Sequence, residues 1–181
     1  MSIVTLEEAK KQLKILDDDT AADEELQAYV DAITTVVEEY KHEVIEPREV
    51  REDLEVRACR RFRLWNVPVL SLTSVTSVVG SMTWDVSTMR PNPDTGLVRV
   101  LSGPPVSGLV EVVFQAGYSP IPDRYKRGAL VIIQHVWETQ RGKAGPVRGG
   151  VVGPEELHSK FFYSVPRKAL EWLGAPRPVV G

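Results

Sequence analysis

The feature that most constrains the fold is an apolar stripe at helical spacing between residues 26 and 44. Its members recur every three or four positions over about five turns: Leu26, Tyr29, Val30, Ile33, Val36, Val37, Tyr40 and Val44. The acidic run Asp23-Glu24-Glu25 precedes the stripe and suits the positive end of a helix dipole. Pro47 follows it and cannot continue a helix. The pattern predicts a long helix that begins near Asp23 and ends before Pro47.

Shorter helical patterns lie on either side of this long helix. Thr5 and Glu8 have the spacing of a capping box at the start of a first helix. Pro122 precedes a further apolar stripe at helical spacing, with Gly142 just past its end. A last helix is predicted from Pro166 to Leu173. The chain is therefore expected to contain about four helices.

Between residues 50 and 116 the apolar residues alternate, as they do in strands with one buried face. The turn residues of segment 91–96 separate two such runs, and those of 102–105 separate two more, so antiparallel hairpins are the simplest connection. We predict an α+β fold, a bundle of about four helices with an antiparallel β region inserted between the second and third long helices.

One domain is expected to span the whole chain, 1–181. Its predicted parts are a helical pair, a β region, a helix, a flexible loop, and a C-terminal helix with a tail, at 1–46, 50–116, 122–141, 142–160 and 161–181. The loop prediction depends on the segment 142–153, which has five glycines and no apolar period.

The charge distribution along the chain is uneven. The net charge of −3 and the pI near 5.7 disfavour a dedicated DNA-binding protein. Residues 1–46 hold 4 Lys/Arg against 13 Asp/Glu, a net charge of −9, whereas 47–181 hold 18 against 12, a net charge of +6. Either the acidic helices are simply solvated, or acidic and basic faces meet between neighbouring copies in a head-to-tail ring.

The number of cysteines and the length of the apolar runs indicate the cellular compartment in which the protein is expected. The single Cys59 cannot form an internal disulfide, and the first residues lack the pattern of a secretory signal. No apolar run approaches the ~20 residues that span a bilayer. A cytoplasmic product without membrane insertion is expected.

Catalytic motifs are missing from the sequence. His42, His135 and His158 lie far apart, and no zinc, nucleophile-elbow or phosphate-loop motif occurs. His135 and Glu138 have a metal-site spacing but lack a second ligand pair. The acidic run from Asp17 to Asp23 departs from a calcium loop, with alanines at its sixth and twelfth positions. We predict no catalytic residue, no metal site, no cofactor and no enzymatic activity.

Two clusters are candidates for contact with partners. The first is basic and aromatic, and it is either a nucleic-acid or partner surface or a solvated strand face whose arginine stems cover apolar surface: Arg57, Arg60, Arg61, Arg63 and Trp65. The second is the largely aromatic C-terminal region, which either packs on the core or awaits a partner: Phe161, Phe162, Tyr163, Arg167, Leu170, Trp172 and Leu173.

The order of these features resembles a known family. Three parts of the chain show the likeness: the start, T-L-E-E-A-K-K-Q-L-K with D-D-D-T-A-A-D-E-E-L-Q-A-Y-V; the middle, V-E-V-V-F-Q-A-G-Y-S-P-I-P-D-R-Y; and the end, from Ser164 to Leu173. They are similar to head-to-tail connector (adaptor) proteins of long-tailed double-stranded DNA bacteriophages. The β segment near 80–105 and the glycine-rich loop are longer than a compact member of that family needs.

The resemblance implies a structural virion protein. In that family a ring of copies, twelve to match the portal, joins the portal vertex of the head to the tail or its stopper and continues the DNA channel. It implies assembly in the bacterial host cytoplasm, a place in the virion neck, docking of the C-terminal cluster on the portal protein, and DNA that passes without specific binding. The alternative function is a nucleic-acid-binding module that uses the cluster from Arg57 to Arg63.

Overall fold

The computed structural model describes residues 2–140 and 165–178. The chain divides into two compact units. The helical unit combines Met1–Lys41 with Pro122–Gly181, and the β unit is His42–Ile121. The single domain over 1–181 stays a prediction.

Within its described residues the helical unit contains four α-helices. They are α1 (Leu6–Leu13), α2 (Asp23–Lys41), α3 (Asp123–Gln140) and α4 (Arg167–Leu173). The predicted capping box is confirmed, because the Glu8 N–H donates to Thr5 Oγ1 at 3.2 Å and the Thr5 N–H donates to Glu8 Oε2 at 2.9 Å. In the part of the chain that the structure describes, no helix is both long and apolar enough to cross a bilayer.

The long helix α2 ends earlier than its apolar stripe predicts. It stops at Lys41, and His42 takes the left-handed backbone conformation with φ 54°. Val44 then donates its N–H to Val67 O at 2.8 Å, and Val44 and Ile45 are both buried. Burial and a backbone hydrogen bond in the β unit thus replace the last helical turn, and Pro47 does not set the boundary.

The described residues of the β unit form seven strands in two antiparallel sheets. The strands are β1 (Arg48–Cys59), β2 (Arg61–Arg63), β3 (Val69–Ser77), β4 (Thr83–Trp84), β5 (Met89–Pro91), β6 (Leu97–Val100) and β7 (Val106–Ala116). The large sheet has the order β1-β7-β3-β4, and the small sheet has the order β2-β6-β5. Both sheets contribute to one hydrophobic core, to which β7 supplies alternate residues from Val110 to Ala116.

The two predicted turns have different outcomes. Segment 91–96 joins β5 to β6 as an antiparallel hairpin, which confirms the prediction. Segment 102–105 does not close a hairpin, because β6 lies in the small sheet and β7 pairs with β1 and β3 in the large one. This second turn carries the chain from one sheet to the other.

The predicted architecture, a helical bundle with an inserted β region, is wrong. The described chain is α+β, but its helix and strand contents are roughly equal, and the helical unit combines both ends of the chain. The β region forms a compact unit with its own core because the inner faces of its two sheets bury each other. The predicted flexible loop at 142–160 lies outside the described residues.

Candidate functional site

Three arginines lie side by side across the small sheet. Arg61 on β2 is directly opposite Arg99 on β6, and Arg99 is directly opposite Arg90 on β5. All three are exposed, while Phe62 and Val98 in the neighbouring register position are buried on the other face. We call this set the arginine row. It arises because period-two alternation puts the arginines on the solvent side of all three strands.

The arginine row concentrates positive charge without compensation. Neighbouring strands are about 4.8 Å apart, and like charges placed directly opposite each other destabilise a sheet. Within the described residues, no acidic side chain forms an ion pair with any member of the row. Arg63 extends the same exposed face, two residues beyond Arg61. The face is therefore suited to an anionic partner.

The structure brings part of the predicted basic cluster together on this face. Arg61 and Arg63 lie on β2, and Arg60 just before it donates to Gly103 O at 3.0 Å. Arg57 is exposed near the end of β1, beside the register shift between residues 56 and 59. Trp65 follows the cluster with 59% of its surface exposed.

Sequence reasoning missed Arg90 and Arg99. The signal that points to them is the 91–96 hairpin, which places residues 90 and 99 opposite each other once its register is known. Every Lys or Arg of the β unit is an arginine. Guanidinium groups bind carboxylates and phosphates through two parallel hydrogen bonds, which an ammonium group cannot do.

A buried carboxylate fixes the loop that carries Trp65. Glu52 is 9% exposed on β1. It accepts hydrogen bonds from the Trp65 N–H at 2.9 Å, the Asn66 N–H at 2.7 Å and the Asn66 side-chain amide at 2.8 Å. These donors compensate the charge, since a buried carboxylate without partners would be costly. Glu52 holds the loop beside β2 in one conformation, and sequence reasoning did not single it out.

The C-terminal helix α4 contributes to the core of the helical unit. Leu173 is 1% exposed and Ala169 is fully buried. A Cβ added at Gly128 on α3 would lie 2.5 Å from Leu173 Cδ2, so the two helices approach closely because residue 128 is glycine. Leu170 is half-buried. Of the predicted C-terminal interface, Leu173 is therefore used internally.

Further contacts attach the segment after α4, while part of the helix stays exposed. Lys41 Nζ donates to Ala175 O at 2.5 Å, and the Arg177 N–H donates to Lys41 O at 3.1 Å. Trp172 is 43% exposed, with the Arg127 guanidinium 5.3 Å from its ring centroid. Arg167 is exposed. The other predicted members, Phe161, Phe162 and Tyr163, lie outside the described residues.

The acidic run after α1 holds an ammonium group. Lys10 is 5% exposed, and its Nζ lies 2.6 Å from a carboxylate oxygen of Asp23. The same Nζ donates to Asp19 O at 2.9 Å and to Asp17 O at 3.3 Å. The Lys10 ammonium group thus takes the oxygen atoms that a bound metal cation would use, and the acidic run forms a turn that Lys10 stabilises.

The histidines do not assemble into a site. Glu138 accepts from the Gln134 side-chain amide at 2.7 Å, and His135 accepts at its backbone oxygen from the Thr139 hydroxyl at 2.6 Å. His42 is exposed, and His158 lies outside the described residues. Among residues 2–140 and 165–178, no three His, Cys, Asp or Glu side chains are grouped to hold a metal ion.

Sequence comparisons find no family model and no curated protein that matches this chain. Structural comparison finds similar chains in gene transfer agent (GTA) particles. The neck of an empty GTA particle computed with C6 symmetry has a chain with a TM-score of 0.67 and 18% identity, covering 98% of this chain and 92% of that one. The virion of a native GTA particle gives a TM-score of 0.62 and 19% identity, covering 100% and 97%.

The neck of a native GTA particle computed with C12 symmetry adds a third similar chain. Its TM-score is 0.55 at 18% identity, covering 100% of this chain and 97% of that one. At these identities the likeness establishes the fold. The chain has a fold found in the necks of gene transfer agent particles, which confirms the resemblance to head-tail connector proteins at the level of the fold.

Proposed function

We propose that this chain is a structural subunit of a virion neck. Copies form a ring, twelve to match the portal, that joins the portal vertex of the head to the tail or its stopper and continues the DNA channel. The observation that carries the proposal is the full-length likeness to chains of particle necks computed with C6 and C12 symmetry. The subunit assembles in the bacterial host cytoplasm and takes its place at the head-tail junction.

The side chains support contact with other proteins. The arginine row, the exposed Trp172 and the exposed Arg167 are surface groups of the kind that interfaces use. A net charge of −3 suits a channel through which DNA passes without specific binding, because unpaired lumenal Lys or Arg side chains would bind phosphates. The role needs no cofactor and no catalytic group.

Imaging of reconstituted complexes tests the proposal. Purified protein is mixed with isolated portal rings from the same particle and examined by electron microscopy. We expect a second ring stacked coaxially on the portal. Portal rings that stay bare at micromolar protein concentrations would contradict the proposal.

Variants of α4 test whether this end of the chain docks on the portal. We expect Arg167→Glu combined with Trp172→Ala to abolish stacking, because both side chains are exposed and their loss leaves the buried Leu173 in place. Lys168→Glu is the matched control, since this exposed neighbour is not among the predicted contact residues. If the double variant and the control variant stack on portal rings equally well, the portal contact lies on another surface.

A nucleic-acid-binding module is the second candidate function. The observation that favours it is the exposed arginine row together with the exposed Trp65, which follows Arg61 closely in the chain. Proteins that bind single-stranded nucleic acids use basic groups for phosphate contact and aromatic rings for base stacking. Binding measured against salt concentration separates the two functions. A module of this kind loses affinity steeply between 50 mM and 200 mM salt, whereas a neck subunit binds DNA weakly throughout.

A further inference from the structure

We infer that the arginine row is the receiving surface for the exposed acidic face of α2 from a second copy of this chain. The inference rests on the proposed ring and names the surfaces through which its neighbours pair. In a head-to-tail ring each copy uses two different surfaces, one toward each neighbour. The row on the β unit is one surface and the face of α2 is the other.

The arginine row has the charge and the exposure that suit an anionic partner. Arg61, Arg99 and Arg90 stand directly opposite one another, and Arg63 extends the same face. No acidic side chain of the described residues forms an ion pair with any of the four. Carboxylates brought to this face would offset the mutual repulsion of the arginines through two-point hydrogen bonds.

The exposed face of α2 has the complementary chemistry. Most of its exposed positions are carboxylates or small residues: Glu24, Glu25, Ala28, Asp31, Ala32, Thr35 and Glu39, with Val36 exposed beside them. The helix has a single basic residue, Lys41, which is buried. The small residues between the carboxylates permit close approach of a flat sheet.

The spacings of the two surfaces agree. Two strand separations of about 4.8 Å place Arg61 and Arg90 about 9.6 Å apart at the ends of the row. Seven residues at a rise of 1.5 Å place Glu24 and Asp31 about 10.5 Å apart along one side of α2. A helix that lies across the three strands therefore puts one carboxylate over each end of the row. Ala28 then lies over its centre.

The charge balance favours a second copy of the chain over a nucleic acid. Residues 1–46 have a net charge of −9, and the chain as a whole is acidic. A second copy supplies this acidic segment as a partner of opposite charge for the row, whereas the net negative charge of the chain repels a nucleic acid. Salt should weaken the contact, because exposed ion pairs are screened over about 8 Å at 0.15 M.

Crosslinking between two single-thiol proteins tests the inference. Both carry Cys59→Ser, which removes the only native thiol. One carries Ala28→Cys at the centre of the acidic face, and the other carries Leu97→Cys, which lies on the face of the arginine row two residues before Arg99. The two are mixed with a short bismaleimide, and the heterologous dimer is identified by mass. Every such product joins two copies.

The control partner carries Ser71→Cys, an exposed position on the large sheet. We expect the pair at 28 and 97 to give at least ten times more dimer than the pair at 28 and 71, with a several-fold loss at 0.5 M NaCl. Arg61→Glu with Arg90→Glu, at the two ends of the row, in the Leu97→Cys protein should reduce the yield to the control level. Glu24→Arg with Asp31→Arg in its partner should then restore it.

Other outcomes overturn the inference. A yield at the control level, or a yield that the charge reversal leaves unchanged, excludes pairing of these two surfaces. If the specific crosslink does not form and the protein binds a duplex at sub-micromolar concentration in 150 mM salt, and if Arg61→Glu with Arg90→Glu abolishes that binding, the row is assigned to nucleic acid. Stacking on portal rings is scored separately, so a negative crosslink with intact stacking refutes this contact and leaves the proposed neck function in place.

Discussion

Replacement of Glu52 by glutamine keeps the side-chain length but exchanges one carboxylate oxygen for an amide N–H group. The oxygen that remains can still accept from the Asn66 backbone and side chain, which lie 2.7 Å and 2.8 Å from Oε1. The new amide nitrogen takes the place of Oε2, which accepts from the Trp65 N–H at 2.9 Å, so this N–H keeps only its longer bond of 3.2 Å to Oε1. The new amide group and the Trp65 N–H are then two donors that face each other.

The cost follows from the number and kind of hydrogen bonds changed. Bonds to a charged group contribute about 1.5–3 kcal/mol and neutral ones about 0.5–1.5 kcal/mol. Glu52→Gln makes the bonds to Oε1 neutral and removes the shorter of the two bonds from the Trp65 N–H, but partial access of water to the loop reduces the loss. We expect the free energy of unfolding to fall by about 2–3 kcal/mol. In a chain of this size each kcal/mol lowers Tm by about 2–4 °C.

Urea denaturation followed by far-UV circular dichroism measures the change. The midpoint should shift to lower urea with an unchanged slope, because the surface exposed on unfolding stays the same. Glu55→Gln is the matched control, as this residue lies three positions further along β1 and is exposed. A Glu52→Gln variant within about 0.5 kcal/mol of the native chain, the range of ordinary surface substitutions, would refute the anchoring role of Glu52.

Three further predictions concern other contacts. Leu173→Ala should lower the free energy of unfolding by about 3 kcal/mol, measured by urea denaturation. Gly128→Ala should destabilise the native chain more than it destabilises a chain that already carries Leu173→Ala, because the shorter side chain at 173 relieves the 2.5 Å approach. Equal effects of Gly128→Ala in the two backgrounds would contradict this packing. Lys10→Met should lower the free energy of unfolding by about 2 kcal/mol, because the charged hydrogen bonds of Lys10 are lost, whereas Lys11→Met at an exposed position should change it very little. Added calcium should not change the Tm of the native chain. Hydrogen bonds from Ser87 hold the pKa of Asp85 below its ordinary value of 3.8, so its stabilising contribution is complete above that value and is lost as the pH falls through the lower folded-state pKa. The Tm difference between the native chain and Asp85→Asn should therefore narrow from about pH 6 to about pH 3, and a constant difference would exclude this linkage.

Local signals predicted the helices well. The capping box at Thr5, Pro122 before α3 and Pro166 before α4 act within a few residues of themselves, so their effect can be read directly from the chain. The end of α2 was mispredicted because Val44 continues the helical period yet is buried in the β unit. No local signal shows whether this valine is buried as part of a helix or as part of the β unit.

Long-range pairing explains the parts of the candidate surface that were missed. Arg61, Arg90 and Arg99 come together only through two strand pairings, and the basic cluster read from the sequence contained just one of them. Glu52 reaches donors 13 and 14 residues away through the path of β1 and β2. After β6 the chain leaves the small sheet and enters the large one, because both sheets bury residues in the same hydrophobic core. The alternation of residues within one strand does not encode this change.

The restriction of the β unit to arginine has a consequence for control of the particle. Guanidinium groups stay protonated at any pH at which a protein is folded. Lysine acetylation, which removes charge after synthesis, finds no acceptor between His42 and Ile121. The charge of the arginine row is therefore insensitive to pH and to lysine acetylation. Control of a contact made by the row through either route would have to act on the carboxylates of the partner.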